Sequence, residues 1–464
     1  MFKKTFLALA CSTVLVACGG GGGNSSNNSN SDNGIPVAPK SDLDKAKQLI
    51  DTTNIIIAYF DSFDSLQTQY QPTFDAISDA GNDIGNATSL VITLAALAQE
   101  DAQGATKEYN AAALEQLLKD SETYDGYYYP DYKLSNNNLN VSVKPDSVTV
   151  TGSVNAQYWK DYVWNSQTST GQDIFGDDAT ITVSNLKLEA PFTASAKTYN
   201  FKITAGSTIT TKNKVNEDVS LTFKSDSTAQ LAYKNSAPLE NQGNTTPETA
   251  EFKFSNVVLK AKDVELELTE LSSKAKQIQF KNGANTESEI IPSELIFKGK
   301  AIAGSENLNL DASIKLNNDL SKVIDVSNGE TLTNFINADL NIKLSGNVKG
   351  GASAIKPFSV DLTAKRNEYQ KGTANIKVSV DKDALTVDLK TDNLIGANPN
   401  VSHEPTVSAK ISHVNGAFVD IANIDTFTSA DIKVGTTKYG TVNKVSGSVY
   451  SATFTDNTTK AIAP

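Results

Sequence analysis

Apolar positions along the chain recur first with a helical period and then, after Tyr132, with period two to the end. In the first part Leu43, Ala46 and Leu49, then Ile50 and Ile56, then Ile57, Phe60 and Phe63 repeat at seven-residue offsets, with Thr53 the one polar interruption. Residues three, four and seven apart share one side of a helix, so this stripe predicts an amphipathic helix. Ser41 followed by Asp44 matches a capping box, with Asp in the place usually held by Glu or Gln, and starts that helix. A stripe this wide predicts packing on the protein's own core rather than pairing with another chain. Pro72 predicts a new turn. A second helix is expected over about 84–99, where Leu90, Val91, Ile92, Leu94 and Leu97 leave little polar face; it should be largely buried and is too short to cross a bilayer. A third is expected over about 107–119, from Tyr109, Ala113 and Leu117 at intervals of four.

Beyond Tyr132, Val141 and Val143, Val148 and Val150, and Val219, Leu221 and Phe223 alternate with polar residues, as do Leu308 to Leu316, Ile376 to Val380 and Leu385 to Leu389. One-sided alternation predicts antiparallel strands with one wet face, at least a dozen of them. Lys144-Pro145-Asp146-Ser147 and Asp381-Lys382-Asp383 read as hairpin turns, because strand patterns of matching phase flank both. The fold class is therefore mainly β with an N-terminal helical segment (α+β): a large antiparallel amphipathic sheet or sandwich covered by helices. Residues 41–123 form the helical segment and 124–464 the β-rich domain. The Asn-, Pro-, Gly- and Thr-rich stretch 235–249 is either a boundary between two β subdomains or a long loop. A transmembrane barrel is disfavoured, since aromatics make up only 8% of residues and no aromatic strand ends the chain.

Lys3 and Lys4, an apolar run from Thr5 to Ala17 and then Cys18 before five glycines have the form of a secretory signal. Leu15-Val16-Ala17-Cys18 resembles the lipobox of bacterial lipoproteins; Cys11, with Ala8 three positions upstream, fits less well. The resemblance covers residues 1–18 only. It implies removal of 1–17, lipidation of Cys18 with palmitate-type acyl chains, and stable anchoring through several buried chains. Gly19 in place of an aspartate after the cysteine implies delivery to the outer membrane of a diderm cell. Residues 19–40, mostly Gly, Asn and Ser, cannot bury enough apolar surface to offset chain entropy. They form a leash with a mean reach of about 25 Å.

Both cysteines lie in the signal region, so the mature chain is expected to hold no disulfide. Once Lys3 and Lys4 leave, 39 basic residues face 53 acidic ones, a net charge of −14 that repels polyanions and argues against nucleic acid as a partner. Only His403 and His413 titrate near neutrality, and their separation of ten residues fits no zinc motif. They read as surface or strand-end histidines. Ser184, Ser273 and Ser353 each precede a lysine by three, the spacing of penicillin-recognising enzymes, but three hits without the companion motifs read as coincidence. Asp173, Asp177 and Asp178 around Gly176 lack the spacing of a calcium loop and read as a solvated turn. No catalytic residue, metal or cofactor is nominated.

The aromatic junction carries the strongest hint of a site. Tyr124, Tyr127, Tyr128, Tyr129 and Tyr132 are followed by Tyr158, Trp159, Tyr162 and Trp164, which include both tryptophans of the protein. Aromatic faces with polar tips suit sugar rings or peptide chains. The structural alternative is that these rings join the helices to the sheet. Tyr128, Trp159 and Trp164 are the candidate ligand-binding residues. The expected function is that of a non-enzymatic, outer-membrane lipoprotein held to the membrane by its lipid anchor, its β-rich domain binding an envelope or surface protein, glycan or lipid, or serving a structural role. A periplasmic carrier of lipid or hydrophobic ligand and an enzyme acting on envelope glycans are the alternatives. Exposure to the periplasm or to the medium is left open.

Overall fold

A computed structural model describes residues 41–462 apart from 62, 126, 166, 169, 177–178, 190–195, 213–216, 238–245, 263, 304–305, 328–336, 349–355, 369–370, 394–404 and 447–448. Cys18, the leash, His403, Asp177 and Asp178 therefore lie outside the described residues. The protein is mainly β, with antiparallel pairing almost throughout one large hydrogen-bonded sheet and a helical segment before it. Its chain divides into two compact units. The first comprises Met1–Pro72, Ile278–Glu289 and Ser293–Pro464; the second comprises Thr73–Gln277 and Ile290–Pro292.

In the first unit, helix α1 (Asp42–Asp61) starts at the expected capping box, in both directions. The Asp44 amide donates to Ser41 Oγ at 3.2 Å and the Ser41 amide donates to Asp44 Oδ2 at 3.3 Å. Its heptad stripe faces inward: Ala46, Leu49, Ile50 and Ile56 are buried with Phe358, Val360, Val380, Ile432, Ala452 and Phe454 of the surrounding strands. The stripe thus packs on the protein's own core, and Thr53 is accommodated by donating to Leu49 O at 2.8 Å. Polar ties fix the helix to the last hairpin. Lys47 pairs with Asp456 and Lys460 with Asp51, each at 2.5 Å, and Asn54 Nδ2 donates to Ala461 O at 2.9 Å. Hydrogen bonds from Lys47 and then from Thr458 pull the Asp456 carboxyl down to a pKa of about 2.

In the second unit, Ala80, Ile84, Ala87, Leu90, Val91, Leu94, Ala98 and Ala102 of helix α2 (Phe63–Ala102) form the buried face against Val141, Val143, Val148, Val150, Ile181 and Ile209. This helix begins well before the expected 84–99 and includes Pro72, where a new turn was expected. Ile92, expected inside, is exposed because it falls on the far side of the buried row. The third helix also differs from expectation. Lys107–Tyr109 is a strand paired with Asn140–Lys144, and α3 runs only over Ala111–Ser121. The cause is Asn110, whose side chain caps the helix by accepting the Ala113 amide at 3.0 Å, while the extended backbone before it turns Tyr109 into the core. Fully burying a leucine such as Leu90 or Leu114 contributes about 1.5–3 kcal/mol, which is why these helices cover their sheet faces.

Both expected hairpin turns are present as two-residue loops, closed by Lys144↔Ser147 and by Val380↔Asp383. Asp381 takes φ of 54°, a left-handed conformation that Asp tolerates in such turns. The stretch 235–249 does not mark the division between units. The strands on either side, Ser227–Ala237 and Thr249–Ala261, pair antiparallel with each other inside the second unit, because their alternating faces continue in register. None of the described helices is long and apolar enough to cross a membrane.

Candidate functional site

The long strand Ser147–Asn165 of the second unit changes role along its length. Val148, Val150, Val154 and Ala156 face the core. Between them Gly152 sits where the ladders on both sides slip by one residue, from Asn140↔Thr151 to Ser135↔Asn155 on one edge and from Val150↔Leu186 to Gly152↔Val183 on the other. Its φ of 112° and the Asn138 carbonyl, which would lie 2.3 Å from an added Cβ, leave room for glycine alone. Past Tyr158 the strand continues as a two-stranded ribbon with Thr170–Phe175, its rungs running from Trp159↔Phe175 to Asn165↔Thr170. Among the described residues the ribbon pairs with no third strand.

A bulge decides what the ribbon displays. The register shifts by one residue between Trp159 and Asp161, so Lys160 is the extra residue. Successive strand residues point to opposite faces, and an uninterrupted strand would set Trp159 opposite to Tyr162 and Trp164. With the bulge all three share one face, together with their cross-strand partners Phe175, Asp173 and Gly171. Trp159, Tyr162 and Trp164 are 45%, 50% and 57% exposed. Trp159 Nε1 donates to Asp173 Oδ1 at 3.0 Å, which ties the indole down across the ribbon. The Tyr162 ring lies over Gly171, where an added Cβ would stand only 1.6 Å from its hydroxyl oxygen and 2.0 Å from Cζ. Both side chains are held across the ribbon while remaining about half exposed to solvent.

The tyrosine loop adjoins the base of the ribbon through the Trp159 amide, which donates to Asp131 O at 2.8 Å. Tyr127, Tyr128 and Tyr129 are exposed, and Tyr129 N donates to Glu122 O at 2.8 Å at the end of α3. Glu122 was not singled out in the sequence, since nothing local marks one acid among 53. It is half-buried beneath the tyrosines; burial pushes its carboxyl above the usual range, partly offset by the Asp131 amide donating to Oε1 at 3.1 Å. The Tyr128 hydroxyl is pushed up by burial first and by the Glu122 charge second. Among the aromatic side chains described, Tyr132 and Tyr158 do what the structural alternative required. They face each other across the ladder with ring centroids 5.8 Å apart, edge to face, and pack on the core. Burial raises the Tyr158 hydroxyl well above its ordinary value.

No family model, curated protein or solved structure matches the chain. The site's chemistry must be read from its own residues. Among the described residues no group of three or more His, Cys, Asp or Glu side chains is placed to hold a metal. His413 ends the strand Thr406–His413 and is buried, its Nδ1 accepting the Asn415 amide at 3.1 Å in a tight turn. Asp173 is engaged by Trp159. Ser184 lies in the strand Ala179–Glu189, and its lysine, Lys187, pairs with Glu189 at 2.6 Å.

The first unit has one further feature, a groove of about 590 Å³ on the outer face of its sheet. Thr363, Asn375, Asp388, Lys410 and Asp420 form one row across five strands. Asn375 donates to Asp388 at 2.6 Å, Lys365 lies 3.6 Å from Asp339, and Lys410 sits over the Phe418 ring at 4.4 Å. Alternating cations and anions give this groove no dominant sign, and the aromatic face is the better-defined site.

Proposed function

We propose that the protein is a non-enzymatic, lipid-anchored lipoprotein of the outer membrane whose β-rich body is a binding module, with the aromatic face of the second unit as its docking element. One observation carries the binding part. Tyr127, Tyr128, Tyr129, Trp159, Tyr162 and Trp164 are all solvent-exposed in one stretch of structure, with Val163 exposed on the opposite face of the same ribbon, whereas the other exposed large apolar residues are spread over other elements. Isolated exposed apolar residues are ordinary, but a contiguous patch rimmed by polar groups marks an interaction surface. Tyrosine and tryptophan also dominate the energetics of such surfaces. The inner sheet faces are occupied by α1 in one unit and by α2 and α3 in the other, which supports a module that binds on its outside. The anchoring part rests on Leu15-Val16-Ala17-Cys18.

A photo-crosslinking residue in place of Tyr162, activated in living cells, tests the binding part. A discrete adduct lost on adding Trp159→Ala and Trp164→Ala supports it; absence of any adduct sinks it. For the anchor, Cys18→Ser should abolish incorporation of labelled palmitate and release the chain from the membrane fraction. Protease treatment of intact cells carrying a tag at Pro464, with a periplasmic protein as integrity control, decides between the medium and the periplasm.

A further inference from the structure

The aromatic face has a sign as well as a shape. Glu122, Asp125 and Asp131 lie in or beneath the tyrosine loop, Asp173 is on the aromatic face of the ribbon and Asp161 on its opposite face, against Lys133 and Lys160 alone on the same segments. The whole chain is acidic in the same sense, with a formal charge of −12. Aromatic rings add to this, because the centre of a ring face is electronegative and attracts a cation placed over it. Here the Trp159 indole is tied to Asp173 and the Tyr162 ring lies over Gly171, so both are held on the ribbon while staying about half exposed. Arginine and lysine side chains fit such a surface; an anionic polymer does not.

The backbone supplies the second half of the argument. Within the ribbon Thr170–Phe175 pairs only with Ser147–Asn165 among the described residues, so its outer edge offers amides and carbonyls to an incoming strand. Side chains on one face of a strand repeat every about 6.4–6.8 Å, and with the bulge at Lys160 Trp159, Tyr162 and Trp164 stand opposite every second residue of the partner strand, Phe175, Asp173 and Gly171. An extended chain lying beside the ribbon would bring every second side chain into line with a ring.

We propose that the aromatic ribbon takes an extended basic segment of a partner protein, its backbone added to the open edge and its arginine or lysine side chains seated over Trp159, Tyr162 and Trp164. This rests on the aromatic face being the docking element. Binding should tighten at low salt, since the screening length grows from about 8 Å at 0.15 M to about 30 Å at 0.01 M. Each ring removed should weaken binding by about two- to five-fold.

The test is calorimetric titration of the full chain, purified in detergent, with a ten-residue peptide of alternating Arg and Thr, its counterpart with Gln for every Arg, and maltohexaose. The only two tryptophans of the chain lie on the ribbon, so a change in tryptophan emission assigns binding to this face. Saturable binding of the Arg peptide with such a change is expected, together with weakening by Tyr162→Ala, by Asp173→Asn, and by salt. Equal or tighter binding of the Gln peptide or of maltohexaose would overturn the basic-ligand inference, as would no binding of the Arg peptide at low salt. In either case a surviving crosslink from position 162 would show that the docking surface itself stands.

Discussion

Gly152→Ala is the substitution whose cost follows most directly from the structure. At φ of 112° an alanine enters backbone space that L side chains rarely adopt, at a cost of about 1–3 kcal/mol. Its Cβ would also stand 2.3 Å from the Asn138 carbonyl oxygen and 3.0 Å from the Leu139 Cα, both backbone atoms, with Leu139 fully buried. The Asn138 amide is itself held by Ser153 O at 2.7 Å, so the obstruction cannot swing aside. Forcing the strands apart adds about 1–3 kcal/mol. The smaller entropy of the unfolded alanine chain returns about 0.4–1 kcal/mol, leaving a net loss of about 1–5.6 kcal/mol. Urea titration followed by circular dichroism would measure it, with Gly81→Ala as control. Gly81 lies in α2 with nothing within 4 Å of an added Cβ, and alanine there should raise stability by about 0.5–1 kcal/mol. A Gly152→Ala loss below about 1 kcal/mol would refute the argument that this glycine is what lets both flanking ladders slip by one residue.

Further outcomes follow from the same geometry. Leu90→Ala, at a fully buried position, should cost about 2–5 kcal/mol in urea or thermal unfolding. The depressed Asp456 carboxyl contributes stability that is present above its ordinary value of 3.8 and lost as pH falls through about 2, so Asp456→Asn should flatten the decline of melting temperature between those limits. Glu122 has the opposite sign: its raised carboxyl favours the folded state at low pH, and that contribution fades as pH climbs past 4.5 toward its elevated folded value. Glu122→Gln should remove this fall in stability, measured by melting at a series of pH values.

The change of period after Tyr132, the reciprocal cap of Ser41 and Asp44, and the turns at Pro145-Asp146 and Asp381-Lys382 were legible in the sequence because each is local. Long-range effects were not. Lys107–Tyr109 has helical spacing on paper and became a strand because Asn140–Lys144 offered it an edge. The division at residues 277 and 278 leaves no break in secondary structure, since the single strand Val264–Asn282 runs through it. At the aromatic junction the residue types were visible, but Trp159, Tyr162 and Trp164 are spaced by three and then two. Neither period accounts for that, and only the bulge at Lys160 puts them on one face.

The ties between α1 and the final hairpin have a consequence for the order in which the chain can fold. Lys47 and Asp51 meet partners 409 residues further along, so α1 is synthesised long before the hairpin that holds it. The second unit is encoded almost wholly inside that interval and has its whole sequence available while the first unit still lacks most of its strands. Closing so long a loop costs little more than closing one half its length, about 0.6 kcal/mol per doubling. Time is the larger burden: contacts this distant form late, and the apolar stripe of α1 stays uncovered until they do. While it is being made, the chain therefore carries the bare stripe of α1 until the strands around Asp456 and Lys460 emerge to cover it.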